Sequence, residues 1–151
     1  MQDTIERELD IAADIDRVWT LITEAEHLGT WFGDRGADID LRPGGTMQVR
    51  WDGHDLDGQV VTVDPTSRFA FRWQQIDVAP GTTLGDGNST LVEFTLEPRG
   101  TGTHLRVVES GFASLDLPTD DRRGLLEGHT KGWMQETGEL ADHARTQGAA
   151  V

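Results

Sequence analysis

Between residues 36 and 112 the chain alternates apolar and polar side chains in period two, segment after segment, and most of the gaps are too short for a crossover helix. The segments 37–42, 46–52, 56–64, 68–75, 90–97 and 103–112 read as strands. Their separators carry turn chemistry: Pro43-Gly44-Gly45, Asp52-Gly53, Asp64-Pro65, Pro80-Gly81, Asp86-Gly87 and Arg99-Gly100. Such a run folds as antiparallel hairpins. Residues 4–11 add a seventh strand. Ile5, Leu9 and Ile11 share one face with Arg7, and Glu6, Glu8 and Asp10 share the other. The widest gap, 76–89, is Gly-rich and reads as the mobile loop.

Helical spacing appears three times. Asp14 is a good N-cap, and Ile15, Val18, Trp19 and Ile22 then fall on one helical face. A second short helix is predicted over about 25–32, ending near Gly33 with Trp31 and Phe32 in need of a surface. Pro118-Thr119-Asp120-Asp121 opens a long helix to about Gln147, with Leu125, His129, Trp133, Glu136 and Leu140 on one stripe and Leu126 and Ala144 flanking it. Gly124, Gly128 and Gly132 repeat every fourth residue in it and Gly138 follows. Each costs roughly 1 kcal/mol against Ala in a helix interior. Either this face lets a neighbouring element approach closely, or the helix start is a loose gate, or the glycines reflect glycine-rich codon usage alone.

The expected fold is α+β, with a seven-stranded curved antiparallel sheet, two short helices and one long C-terminal helix. A curved sheet wrapped around one helix cannot close every gap, so a cavity is expected between them. The whole chain, 1–151, reads as one domain.

Several motifs carry a family resemblance: Val18-Trp19, Leu28-x-x-Trp31-Phe32, Arg42-Pro43-Gly44-Gly45, Gly58-x-Val60, Phe71-Arg72-Trp73, Val92-x-Phe94-x-Leu96, Gly102-Thr103-x-Leu105, Glu109-Ser110-Gly111-Phe112 and Gly132-Trp133 with Leu140. In this order they resemble the helix-grip (SRPBCC) superfamily, which includes START domains and the birch-pollen allergen. The branch they are most similar to is that of the C-terminal domain of the activator of the heat-shock-protein-90 ATPase. The resemblance implies a helix-grip fold. It implies binding of lipids, hormones or other apolar molecules, or polyketide-cyclase chemistry. The namesake's co-chaperone activity depends on a separate N-terminal domain for which this chain has no room.

Charge removes other classes. With 27 acids against 13 bases the net charge is -14, which opposes nucleic acid and anionic membranes. Lys131 is the only lysine; a salt-rich host or GC-rich codon usage would each produce such a composition. The absence of cysteine excludes disulfides, thiolate metal sites and cysteine nucleophiles. No apolar run has membrane-spanning length, and Met1-Gln2-Asp3 opens no secretory pattern, so a cytoplasmic protein is expected. His27, His54, His104 and His143 are scattered without metal-site spacing, so no metal is expected. There is no Gly-x-Ser-x-Gly and no phosphate loop, so no nucleophile elbow, nucleotide or other cofactor is expected.

The candidate ligand-binding residues are Trp31, Phe32, Met47, Val49, Trp51, Phe71, Trp73, Val107, Glu109, Phe112, His129 and Trp133. The aromatics offer large area with few rotors, although ordinary core packing explains any one of them. Glu109 has the parity of Leu105 and Val107 and points inward. Arg7 can meet it from the neighbouring first strand, as a pocket anchor or a rim ion pair. Glu109 and His129 are the acid/base candidates; a packing role at the sheet–helix interface is the plainer reading of His129. The leading expectation is a binding protein for a small, mostly hydrophobic ligand held between sheet and last helix. The alternatives are a cyclase-, dehydratase- or hydrolase-like enzyme, and a protein-interaction module anchored by exposed Trp31 and Phe32. A homodimer through an exposed strand or the aromatic loops fits the same plan.

Overall fold

Period-two alternation produces one curved antiparallel sheet of seven strands in the order β1-β7-β6-β5-β4-β3-β2. The computed structural model describes residues 2–149. The strands are β1 (Thr4–Ile11), β2 (Ala37–Ile39), β3 (Thr46–Trp51), β4 (His54–Asp64), β5 (Arg68–Gln74), β6 (Ser89–Arg99) and β7 (Gly102–Ser110). The first strand pairs with the last, Ile5 opposite Glu109 and Arg7 opposite Val107. The predicted strand 37–42 is only three residues long, because Arg42, Pro43 and Gly44 form the turn that brings Gly45 back against Asp40. The β6–β7 hairpin runs longer than predicted, through Pro98 opposite Thr103.

Curvature has a local cause. The register of β4 against β5 shifts between Val60 and Thr62, which turns Val61 outward. A bulge of this kind bends the strand that carries it. Gly58 lies beside it, where a Cβ would sit 2.6 Å from the Arg72 carbonyl oxygen, so the two strands approach as only glycine permits.

The helices follow the sequence periodicity. In α1 (Ile15–Thr23) the Asp14 carboxylate accepts from the Arg17 backbone N–H at 2.9 Å, and Val18, Leu21 and Ile22 are buried. The second predicted helix divides into α2 (Ala25–His27) and a π-helical turn, Leu28–Phe32, ended by Gly33. The wider turn buries Leu28, Trp31 and Phe32 together. Trp31 and Phe32 are therefore core residues, each 2% exposed, and the expected surface anchor does not exist. Among the described residues, the large hydrophobics that do reach the surface are Leu41, Val61 and Met134.

The long helix α3 (Thr119–Ala149) crosses the concave face. Its backbone lies close to β1 and the π-helical turn and farther from β3, β4 and β5, which only its longer side chains reach. Trp133, Leu140 and Ala144 fill the near side in one core cluster with Phe69, Phe71 and Phe94 of the sheet, and the Trp133 and Phe94 rings meet edge to face at 6.0 Å. Burying each such ring contributes about 1.5–3 kcal/mol. Among the described residues no element packs against the glycine face. A Cβ built at Gly124, Gly128, Gly132 or Gly138 meets nothing within 4 Å, which overturns the close-approach reading. The 76–88 connection is tied to the outer face of β4: Gln59 accepts from the Leu84 backbone N–H and donates to the Thr82 carbonyl. No helix among the described residues is long and apolar enough to cross a membrane.

Candidate functional site

Glu109 on β7 points inward and is fully buried. A buried carboxylate must collect donors, and this one collects three. Thr90 Oγ1 donates to Oε2 at 2.6 Å, and the Trp133 indole N–H donates to Oε1 at 2.9 Å. His129 Nδ1 lies 2.8 and 2.9 Å from Oε1 and Oε2. His129 and Trp133 are one helical turn apart, so a single face of α3 delivers both groups. The oxygens facing His129 assign its hydrogen to Nδ1. Nε2 has no partner among the described residues.

Arg7 does not join this cluster. Its cross-strand neighbour is Val107, two residue pairs away from Glu109, and its Nε is buried without a hydrogen-bond partner. The expected Arg7–Glu109 pair is replaced by the three donors from β6 and α3.

A ladder of rings leads outward from His129. Its ring lies over Trp73 with centroids 4.5 Å apart. Trp73 is nearly parallel to Trp51 at 6.2 Å, and Trp51 stacks on His54 at 4.9 Å. Strand geometry sets this order: Trp51 and His54 face each other across the β3–β4 turn, and Trp73, next to last in β5, lies on the same face. Phe32 meets Trp51 and Trp73 edge-on and stacks on Trp133 at 5.3 Å. The edge of Phe112 holds the other side of His129 at 5.4 Å. Gly111, at φ 100°, starts the short turn that carries Phe112, and Asp3 accepts from the Gly111 and Ala113 backbone N–H groups.

A cleft of about 570 Å³ opens between this ladder and α3. Phe32, Trp51, Trp73, His129 and Trp133 line it, with Leu125, Gly128 and Gly132 on the helix side and Asp34, Asp52, His54, Asp55 and Glu136 around the rest. Of the bare glycines, Gly128 and Gly132 face this space. Its volume falls in the range of small-molecule sites. A second hollow, about 710 Å³, lies beside the outer-face residues Gln48, Asp57 and Gln59 and the 78–84 loop. It is the larger of the two, but neither the ring ladder nor the Glu109 cluster reaches it.

Of the sequence candidates, Phe32, Trp51, Trp73, His129 and Trp133 come together on the cleft, with Glu109 and Phe112 behind His129. Val49, Phe71 and Val107 lie in the core, and buried Met47 borders the outer hollow. Trp31 is also core; its indole N–H donates to the Leu21 carbonyl at 2.6 Å. Among the described residues no cluster of three or more His, Cys, Asp or Glu is placed to hold a metal.

Two site residues escaped the sequence reading. Thr90 shares the inward parity of Val92 and Phe94, and an inward hydroxyl at a strand start was the available signal. Glu136 stood on the inward stripe of α3 as the one acid on an apolar face. Burial pushes its carboxyl up to about 8; the nearby charges of Glu139 and Asp34 add to this, and a hydrogen bond from Trp51 opposes it.

Comparison with known proteins bears on the whole arrangement. No curated protein matches the chain. Among solved structures, protein MLL2253 from Mesorhizobium loti is 28% identical, with 92% of this chain and 94% of that one covered and a TM-score of 0.74. DynU16, a protein in the dynemicin biosynthetic locus, is 26% identical with a TM-score of 0.74. The match covers 97% of this chain and 49% of DynU16, so this chain spans about half that protein's length. The Aha1 dimer from Colwellia psychrerythraea shares the fold at 21% identity, with 93% and 95% covered and a TM-score of 0.71. Residues 12–145 match the description "Activator of Hsp90 ATPase homolog 1-like protein". The chain belongs to that family, with its helix-grip fold.

Proposed function

We propose that the protein binds a small, mostly hydrophobic ligand, ring-bearing in part, in the cleft between the β3–β5 side of the sheet and α3. The observation that carries this reading is the pairing of a ring ladder with a helix face of bare glycines across about 570 Å³. Helix glycines that nothing packs against weaken α3, and here Gly128 and Gly132 leave the cleft open. The family fold supports ligand binding in general. The place of DynU16 in a biosynthetic locus supports a small-molecule ligand. The test is tryptophan fluorescence titrated with aromatic polyketides, sterols and fatty acids, on wild type and on Gly132→Leu. Saturable quenching in wild type that Gly132→Leu abolishes supports the reading. An unresponsive emission across the panel removes it.

A second reading is favoured by one contact. The buried Glu109 carboxylate orients His129, whose free Nε2 belongs to a ring lining the cleft. That arrangement suits a proton acceptor with a positioning carboxylate behind it, as a cyclase or dehydratase of polyketide-like substrates requires. Turnover of an identified substrate that survives His129→Asn discards it. A homodimer is also proposed; the Colwellia relative forms a dimer, and the sheet leaves β1 and β2 as open edges. Sedimentation at increasing concentration checks it.

A further inference from the structure

We infer that the cleft is built for an organic cation, a protonated amine on an apolar ring-bearing frame, with its charge held beside Glu136. This rests on the binding reading above and adds the ligand's charge to it.

The lining fixes the sign. Asp34, Asp52, Asp55 and Glu136 border the cleft, and neither Lys nor Arg lines it. One guanidinium reaches the rim: Arg35 pairs with Asp52 at 3.4 Å, and both side chains are largely exposed. A carboxylate-bearing ligand would therefore enter a field of its own sign. The exposed acids alone say little, because the whole chain is acidic.

Glu136 says more. It is half-buried on the cleft wall of α3, and no Arg or Lys pairs with it among the described residues. Its surroundings are the Trp51 indole N–H, Glu139 on its own helix and Asp34 beyond the π-helical turn. A carboxyl so placed keeps its proton to about pH 8. A cation beside it favours the ionised form, so that the proton leaves and the ligand's charge takes its place. A neutral ligand gains no such interaction. His129 and His54 face the same space, from α3 and from the β3–β4 turn. Protonating either imidazole also opposes a cation. The Glu136 variants separate its part of the pH trend from that of the imidazoles.

The experiment is titration calorimetry with three probes of one shape: naphthylmethylamine, protonated over the range used, naphthylmethanol, and naphthoate. At pH 8 the amine binds at least about tenfold tighter than the alcohol, a difference of about 1.4 kcal/mol, and naphthoate binds weakest. The amine's advantage shrinks at pH 6. Glu136→Gln brings the amine-to-alcohol ratio to about one, and Glu136→Asp, which keeps the charge, retains the preference. An alcohol that binds as tightly as the amine overturns the inference and leaves the cleft reading standing, as does a preference that survives Glu136→Gln. If none of the three probes binds, both readings fall together.

Discussion

His129 approaches the buried carboxylate of Glu109 with Nδ1 at 2.8 Å, so the last helix is hydrogen-bonded to the floor of the sheet at the inner end of the cleft. Trp133 repeats the attachment one turn later at 2.9 Å. Helix position, imidazole orientation and cleft shape thus share one anchor.

Removing that anchor strands its donors. Glu109→Leu leaves the Trp133 N–H, the Thr90 hydroxyl and the His129 Nδ1–H without their acceptor inside the protein. The expected loss is about 3 kcal/mol or more, at roughly 1–3 kcal/mol for each buried donor left unpaired, and roughly 1–3 kcal/mol for Glu109→Gln, which keeps the shape. Urea unfolding checks both. A loss under about 0.5 kcal/mol in Glu109→Leu contradicts the anchor.

Glu136 predicts a slope of stability with pH. Its carboxyl titrates near its ordinary value of 4.5 in the unfolded chain and at about 8 in the folded one. Between those values the folded state holds a proton that the unfolded state has released. Its contribution is therefore complete below pH 4.5 and is lost as pH rises through about 8. Glu136→Gln flattens the stability curve across this window and is the more stable protein at pH 9. Parallel wild-type and variant curves refute this assignment.

The pair His27–His143 predicts the opposite slope at lower pH. His27 Nδ1 lies 2.9 Å from His143 Nε2, joining α2 to the C-terminal half of α3. Burial, then the charges of His27 and Arg17, hold the His143 imidazole below its ordinary value of 6.5. The unfolded chain takes up the proton first, so stability present above pH 6.5 is lost as pH falls through the folded value. His143→Gln weakens this acid sensitivity, read from thermal midpoints between pH 5 and 7.

The α3 glycines separate stability from binding. Gly128→Ala and Gly132→Ala place a methyl group where nothing stands within 4 Å. Each stabilises the helix by about 0.5–1 kcal/mol. Gly132→Leu instead fills the cleft and abolishes probe binding. Thermal midpoints and titrations on the same variants test both halves.

Strand number, hairpin order and the inward faces were legible because period two and turn residues are local signals. The inward parity of Glu109 and the α3 stripe through His129 and Trp133 came from the same source. What joins Glu109 to His129 was not legible, since it depends on where α3 crosses the sheet. Arg7 shows the limit: correct parity and a neighbouring strand predicted a partner, yet the register sets it opposite Val107. Trp31 and Phe32 read as needing a surface, and a π-helical turn supplies that surface from the protein's own core. Local spacing does not distinguish a bare glycine face from one that another element covers.

The most direct test of the cleft is the indole N–H region of a ¹⁵N-labelled sample titrated with naphthylmethanol. Trp51, Trp73 and Trp133 should shift in a saturable way with one common affinity. Trp31, bonded to the Leu21 carbonyl in the core, should stay in place. Indole signals that do not move, or a response led by Trp31, would contradict a ligand site between the ring ladder and α3.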